Sequence, residues 1–362
     1  MTLCKQEKFN IFFSGKQLTA RIKKRIEFEA QRLSIVSFIN GLIKLAIKGQ
    51  LPWLIFLAEC RLTSKINALY HGLRLNQDLS GSLYQLRRNI HRIEKGLSYQ
   101  KLKSFFAEDY ILETVNILNQ IKANNPQQQN TIDWSEAVLN EYFKICQHTP
   151  QIKKAYDLYQ TVSIKNNQPN WYPYCEKNRP NLTINYENLY QLALRRRSVR
   201  FYLERTVSFD VIEKAMEVAA LSPSACNRQA FKFLFYNQKN IISKISKIPG
   251  GINGYELPSI IILVGSYRAY FDERDINAPI IDASLAAMAF QFALETLGLS
   301  SVCINWPNVT LKDKQIRQII DLAEDEFVIM LMGVGYPDPN GKIAYSAKKN
   351  IDQLVSCNQK IK

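Results

Sequence analysis

The spacing of hydrophobic and polar positions divides the chain into two halves of different character. In the first half, apolar residues recur every three or four positions, as they do in helices that bury one face. This pattern predicts helices over residues 18–38, 64–97, 109–123, 133–147 and 151–162. The polar stretch 123–131 is rich in Asn and Gln, so it should separate two of them.

The second half alternates helical and strand patterns. Short apolar runs predict four strands, over residues 231–236, 259–264, 301–305 and 327–334. Helical spacing predicts helices over residues 186–196, 208–221, 283–297 and 310–322, and the third is apolar enough to be central. Ser208, and Thr310 together with Asp313, are the predicted helix caps, and Gly298 should end the third helix. This order predicts an α+β fold with a mostly sequence-local sheet.

A run of prolines and polar residues from 166 to 180 marks the predicted domain boundary. Pro169, Pro173 and Pro180 lie in it, and proline neither continues a helix nor donates a backbone hydrogen bond. We therefore predict a helical N-terminal region over residues 1–165, a linker over 166–185 and a second domain over 186–362.

The net charge of +15 lies mainly in the first half. Residues 1–185 contain 26 Lys and Arg against 14 Asp and Glu, whereas residues 186–362 contain 21 against 18. A basic excess attracts anionic surfaces. It is typical either of a solvated surface that keeps a protein soluble or of a weak contact with a polyanion or an anionic membrane, and we expect no specific nucleic acid partner.

The most apolar stretch, residues 33–58, is interrupted by Lys44, Lys48 and Pro52, so it is not a convincing membrane span. It is typical of a helical hairpin in a core or of a helix at a membrane interface. Seven cysteines without a CxxC pair favour a reducing compartment. Since the N-terminus lacks a secretory pattern, we expect a cytoplasmic protein, or one peripheral to a membrane.

The chemistry of the second half is limited by the residues that it lacks. No histidine follows His148, which excludes a Ser-His-Asp or Cys-His site within this half. The motifs GxSxG, GxxxxGK[ST], GxGxxG and HExxH are absent from the sequence. If this half is an enzyme, we expect a bound cofactor to supply the chemistry.

An arginine-rich segment closes the helix predicted over residues 186–196. Residues 195–201 read Arg-Arg-Arg-Ser-Val-Arg-Phe. Guanidinium groups match phosphate oxygens, so the segment predicts a site for a phosphate and for ring oxygens. Taken alone, the same arginines are equally typical of a helix end that offsets its dipole.

Two further segments offer groups that suit a polar heterocycle. Residues 221–231 read LSPSACNRQAF and present Ser224, Asn227 and Gln229 on a loop, although Ser, Pro and Asn are also ordinary turn residues. Residues 297–305 read LGLSSVCIN and join the apolar helix to a strand.

In their order and spacing, these segments resemble the nitroreductase family of flavoproteins. Residues 196–202 are similar to its R-R-S-x-R-x-F motif, with Tyr202 in place of Phe. Residues 222–231 resemble A-P-S-x-x-N-x-Q-P-W, and residues 296–305 resemble A-L-G-L-G-S-x-x-I-G. Gly335-Tyr-Pro, followed by Lys348, Lys349 and an acidic-apolar tail, resembles the family's C-terminus. The resemblance spans about residues 186–355 and implies a central, mostly antiparallel sheet flanked by helices.

The resemblance implies FMN held at the interface of an intertwined homodimer. It implies phosphate contacts from Arg196 and from Lys348 or Lys349, and ribityl and phosphate contacts from Arg197 and Ser198. No metal is implied.

Contacts to the flavin ring are implied as well. Arg200 would lie near the N1–C2 edge, where a cation stabilises the anionic reduced flavin. The backbone N–H of Asn305 would face N5, the atom that takes and gives hydride, so these two residues are the catalytic candidates. Ser224 and Asn227 would approach from the partner subunit, and Gln229 of the same loop is a further cofactor-binding candidate.

The resemblance further implies that NAD(P)H reduces the flavin and that a small acceptor reoxidises it in ping-pong fashion. That acceptor would be a nitro compound, a quinone or an unknown metabolite. Two alternatives stay open. One is a flavin-dependent oxidase or dehydrogenase of a biosynthetic intermediate. The other is a protein that docks to a polyanion or a membrane and uses the flavin fold as a non-catalytic scaffold.

Overall fold

The computed structural model describes residues 79–161, 170–250, 254–270 and 273–358. These residues belong to one compact unit, Ser64–Lys362. The following predictions lie outside the described ranges: the helix over 18–38, the apolar stretch 33–58, the first part of the helix over 64–97, and the start of the linker, residues 166–169. The domain boundary therefore stays a prediction.

Residues 79–161 form a helical unit with a core of its own. Its helices are α1 (Leu79–Leu97), α2 (Ile111–Asn124), α3 (Gln129–Ile145) and α4 (Pro150–Gln160). Leu86, Ile90 and Ile93 are fully buried along one face of α1 and belong to the same cluster as Val115 of α2 and Leu139 of α3. The spacing of four and three positions on α1 explains why one face of the helix is buried.

The break between α2 and α3 is shorter than the sequence predicts. A 3-10 turn over Pro126–Gln128 separates the two helices, and α3 already begins at Gln129, inside the polar stretch 123–131. The side chain of Gln129 donates to Asp133 Oδ1 over 2.6 Å. Such a bond between residues four apart stabilises a helical turn, so polar residues here start a helix as well as separating two.

The remaining described residues form an α+β domain, as predicted. Its helices are α5 (Tyr186–Arg195), α6 (Phe209–Ala219), α7 (Lys239–Ser246), α8 (Ala278–Thr296) and α9 (Thr310–Arg317). Its strands are β1 (Phe231–Tyr236), β2 (Ser259–Ser266), β3 (Ser300–Asn305) and β4 (Glu326–Gly335). The strands lie in the order β1-β2-β4-β3, and each adjacent pair is antiparallel.

Both faces of the sheet are covered by helices. Strand β2 is buried along its whole length, and alternate residues point to opposite faces. Ile261 packs with α6 and α8 on one face, while Ile260 and Ile262 pack with α7 and α9 on the other. Among the described helices, α8 is long and apolar enough to cross a membrane, but its residues Ala286, Ala287, Phe290 and Ala293 are buried against the sheet and α6. Helix α8 is therefore a core helix, as its apolar sequence predicts.

Two helix caps differ from the predictions, and one helix was not predicted. Ser208 stands at the N-cap of α6, but its side chain makes no capping hydrogen bond. The cap of α9 is Val309 rather than Thr310, and Asp313 accepts a hydrogen bond from Trp306 Nε1 over 2.8 Å instead of closing a capping box. Helix α7 was not predicted, because only Ile242 and Ile245 of its eight residues are buried.

An extended segment adds to the sheet beside β3 and β4. Ser198 bridges to Ser301 in parallel, and Tyr202 bridges to Pro337 in antiparallel orientation. The backbone N–H of Val199 donates to Ser301 O over 3.1 Å. The hydroxyl of Tyr202 donates to Val199 O over 2.6 Å, so the segment is held to the sheet edge by its backbone and by this side chain.

Gly335 allows this close approach, which yields a stability prediction. A Cβ at position 335 would lie 2.7 Å from Cδ1 of Tyr202 and closer still to Cγ of Pro258. The Gly335→Ala variant should therefore lose about 1–3 kcal/mol of unfolding free energy, the usual cost of overpacking. Chemical denaturation followed by circular dichroism measures this.

The matched control is Gly265→Ala. A Cβ there would meet Ile329 Cδ1 at 2.9 Å, Phe327 Cζ at 3.0 Å and Pro279 Cβ at 3.1 Å, and because these contacts are longer than those at Gly335, the loss should be smaller. Equal losses in the two variants would contradict the tight fit at Gly335.

Candidate active site

The arginine segment, residues 195–200, begins where α5 ends. Asn185 and Asn188 form a reciprocal capping box at the start of α5, and the backbone becomes extended at Arg196. Arg196, Arg197 and Ser198 are each partly buried in this stretch. Because Ser198 bridges to Ser301, the segment runs along β3, at the edge of the sheet.

A pocket of about 290 Å³ opens beside the arginine segment. Arg200, Tyr255, Cys303 and Asn305 are among its lining residues. The guanidinium of Arg200 donates to Ser198 O over 3.2 Å and lies 5.9 Å from the centre of the Tyr255 ring. The structure thus brings together two parts of the predicted site, the arginine segment and the end of β3.

A buried carboxylate that the sequence analysis missed anchors this segment. Glu295 of α8 accepts hydrogen bonds from Ser300 Oγ over 3.0 Å and forms an ion pair with Arg195 Nε at 3.2 Å. Burial raises the pKa of Glu295, while the Ser300 hydrogen bond and the charges of Arg195 and Arg196 act against this rise. An acidic residue within an otherwise apolar helix was the signal available in the sequence.

Cys303 lines the pocket, although the sequence analysis gave it no role. Its side chain is exposed in this chain, yet partial desolvation in the pocket raises the pKa of its thiol, and the charge of Arg196 lowers it in part. The thiol therefore favours its neutral form.

Three other residues predicted to bind the cofactor lie on the 224–229 loop, between α6 and β1. Ser224 Oγ accepts the backbone N–H of Gln229 over 3.2 Å, and the Gln229 side chain donates to Asn227 Oδ1 over 2.9 Å. The backbone N–H of Ala225 donates to Asp282 Oδ2 over 3.0 Å, which fixes the loop to α8. The three predicted residues are thus close to one another.

The loop and the arginine segment are far apart within one chain. The loop meets α8 at Asp282 and the arginine segment meets it at Glu295, so the two contacts are about 20 Å apart along the helix at 1.5 Å per residue. The loop also leads into β1, whereas the segment borders β3, and these strands are at opposite edges of the sheet. The predicted residues therefore form two separate half-sites.

Lys348 and Lys349 belong to neither half-site. Both are exposed and lie in the extended chain that follows β4. Their predicted role at a phosphate stays a prediction.

Comparison with known proteins agrees with the resemblance seen in the sequence. Residues 193–253 and 252–336 match the family model described as the nitroreductase family. A protein of Archaeoglobus fulgidus, provisionally named an NADH dehydrogenase/NAD(P)H nitroreductase, is 26% identical over 152 residues, which cover 42% of this chain and 86% of that protein. A protein of Methanothermobacter thermautotrophicus with the same provisional name is 28% identical over 149 residues, which cover 40% and 75%.

A solved structure with a similar fold is an FMN-dependent nitroreductase from Clostridium difficile R20291. It has a TM-score of 0.41 and 23% sequence identity, and the match covers 46% of this chain and 98% of that one.

The raised pKa of Glu295 predicts a pH dependence of stability. The folded protein binds a proton at this carboxyl more tightly than the unfolded chain does. The protonated carboxyl therefore adds to the unfolding free energy. This addition is fully present below the ordinary pKa of 4.5 and is lost as pH rises through the pKa of the folded protein. Glu295→Gln removes this titration. The unfolding free energy of the variant minus that of the wild type should therefore rise between the ordinary glutamate pKa and about pH 7.

Denaturation curves over that pH range measure the difference. Glu204→Gln, at an exposed position, is the matched control for the substitution itself. A flat difference for Glu295→Gln would show that the carboxyl titrates alike in the folded and unfolded chain.

Proposed function

We propose that this chain is an oxidoreductase of the nitroreductase type that binds FMN, is reduced by NAD(P)H and passes the electrons to a small acceptor. The proposal is supported by the match of residues 193–253 and 252–336 to the nitroreductase family model and by the similarity to the archaeal relatives. The acceptor is a nitro compound, a quinone or another small metabolite. The observation that carries the proposal is the grouping of Arg196, Arg197, Ser198 and Arg200 beside a pocket at the edge of β3.

The donor groups of the arginine segment fit the cofactor. FMN has a phosphate, a hydroxylated chain and a ring with polar edges. Guanidinium groups and a serine hydroxyl are suitable donors to phosphate and hydroxyl oxygens. When bound, FMN supplies the two-electron redox chemistry.

We propose a role for each residue of this half-site. Arg196 and Arg197 would hold the phosphate of FMN, and Ser198 would contact an oxygen of its hydroxylated chain. Arg200 lines the pocket, where its positive charge stabilises added negative charge on the ring. Asn305 ends β3 and lines the pocket, so its backbone N–H is the proposed donor to the ring.

We further propose that the active enzyme is a homodimer. The two half-sites are too far apart to meet within one chain, whereas a second copy can bring its 224–229 loop to the arginine segment. None of the residues of α5 is buried, and Tyr186 and Leu189 are 76% and 48% exposed. Ile343, Tyr345 and Ile351 of the C-terminal tail are exposed as well. These apolar surfaces suit an interface in which the tail, including Cys357, extends along the partner.

Visible absorption of the purified protein tests the proposed cofactor and reaction. We expect a yellow protein that releases FMN on denaturation and loses its colour when NADH or NADPH is added without oxygen. A yellow protein that nicotinamide cannot bleach would favour the oxidase alternative. A colourless protein that takes up no FMN would overturn the proposal and favour the docking alternative.

The role of Arg200 predicts the effect of its removal. Arg200→Ala should weaken FMN binding or slow flavin reduction by about tenfold, because a charge-assisted contact is lost. Fluorescence titration and stopped-flow absorbance measure the two quantities. Arg205→Ala is the matched control, since the guanidinium of Arg205 lies 3.8 Å above the Tyr336 ring and does not line the pocket. Identical behaviour of the two variants would contradict the role of Arg200.

The role of the C-terminal tail predicts the effect of truncation. A chain that ends at Pro339 lacks Ile343, Tyr345 and Ile351, so it should be monomeric or insoluble. Light scattering after size-exclusion chromatography measures the mass. A chain that ends at Asn358 keeps these residues and should remain dimeric. A soluble, stable dimer of the shorter chain would show that the tail does not hold the dimer together.

A further inference from the structure

The 224–229 loop has a backbone that needs support from outside. Cys226, Asn227 and Gln229 have φ angles of 52°, 52° and 54°, in the left-handed region that residues other than glycine rarely adopt. Such conformations persist only where surrounding structure fixes them. On one side this support is Asp282 of α8, which accepts the N–H of Ala225 over 3.0 Å.

On the other side, the support comes from the helical unit. Arg87 of α1 donates from Nε to the backbone oxygen of Asn227 over 2.8 Å, although the two residues are 140 positions apart. Hydrogen bonds from a charged donor are stronger than neutral ones. The bond therefore fixes the peptide at the centre of the strained loop.

Arg87 is itself held rigidly. A second nitrogen of its guanidinium donates to Thr131 Oγ1 over 2.8 Å, and the group lies 5.2 Å from the centre of the Trp134 ring. Burial lowers the pKa of Arg87 below its usual value, but an arginine remains charged under ordinary conditions. Thr131 and Trp134 are both on α3, so the helical unit orients the guanidinium before it meets the loop.

Tyr84, one turn before Arg87, seals the same contact. Its ring packs against the cluster of Ala230, Ala269 and Tyr270, against which Ala225 of the loop also packs, and its hydroxyl is hydrogen-bonded to Ser266 at the end of β2. The loop thus lies between α1 and α8.

We propose that Arg87 is a positioning residue of the active site, through which the helical unit holds Ser224, Asn227 and Gln229 in the geometry that receives the flavin. The inference rests on the proposed function, because it concerns the half-site that the loop contributes. It gives the N-terminal region a role in cofactor binding, and that role requires no contact between the region and the cofactor.

Arg87→Met tests this in the full-length protein. The variant keeps an apolar side chain against Trp134 and loses both hydrogen bonds. We expect the Kd for FMN to rise about tenfold or more. We also expect a change in the visible circular dichroism of bound flavin and faster deuterium exchange in residues 222–230. Loss of overall stability alone would not change the spectrum of the flavin that remains bound.

Arg92→Met is the matched control on the same helix. Its guanidinium lies 3.8 Å over the Tyr110 ring, within the helical unit. Its loss should reduce stability and leave the flavin spectrum and the Kd unchanged. If Arg87→Met is insoluble, Arg87→Lys replaces it. One ammonium cannot reproduce the two-pronged donor, so a smaller effect in the same direction is expected.

The outcomes separate the two proposals. If the wild type binds FMN and Arg87→Met or Arg87→Lys binds it as tightly as Arg92→Met, with the same spectrum, the positioning role is overturned and the proposed function stands. If the wild type binds no FMN, the proposed function fails and this inference fails with it. A higher Kd for FMN together with an altered flavin spectrum, seen in the Arg87 variants and not in Arg92→Met, supports the inference.

Discussion

The burial of α8 imposes the constraint on which the candidate site depends. A carboxylate inside an apolar helix must find donors, because an unpaired buried charge is strongly destabilising. Asp282 near the start of α8 finds the backbone of the 224–229 loop, and Glu295 near its end finds Ser300 and Arg195. The same requirement therefore anchors both half-sites, and the rigid helix between them fixes their separation.

The helical unit extends this framework. Its core contains no residue of the sheet, yet Arg87 of α1 donates to the backbone of the 224–229 loop, and Tyr84 packs against the cluster that Ala225 of the loop also contacts. Arg87 contributes to the basic excess of the N-terminal half although it is partly buried, with its guanidinium over the Trp134 ring. A count of charges along the sequence thus overstates the charge that this half presents to solvent. At least one of the basic residues, Arg87, binds another part of the same chain instead of facing solvent.

The sequence predicted those parts of the fold that depend on local periodicity. Strand β1 has the predicted bounds, and Gly298 follows α8 with a φ of 77°, as expected of a residue that ends a helix. Caps were predicted less well, because a side chain at a helix start can find a tertiary partner instead, as Asp313 does with Trp306. The arginine segment and the end of β3 lie beside one pocket, and the roles predicted for their residues stay predictions. Arg87 could not be found from the sequence, because its partner Asn227 is 140 positions away and nothing local indicates the contact.

The distance of about 20 Å between the half-sites has a genetic consequence for the proposed homodimer. Each active site takes its arginine segment from one chain and its loop from the other. Two alleles, one defective in the arginine segment and one in the loop, would each be inactive alone. In a cell that expresses both, a mixed dimer has one site that carries both defects and one that carries neither. Such a pair of alleles would therefore complement each other, whereas two alleles defective in the same half-site would not.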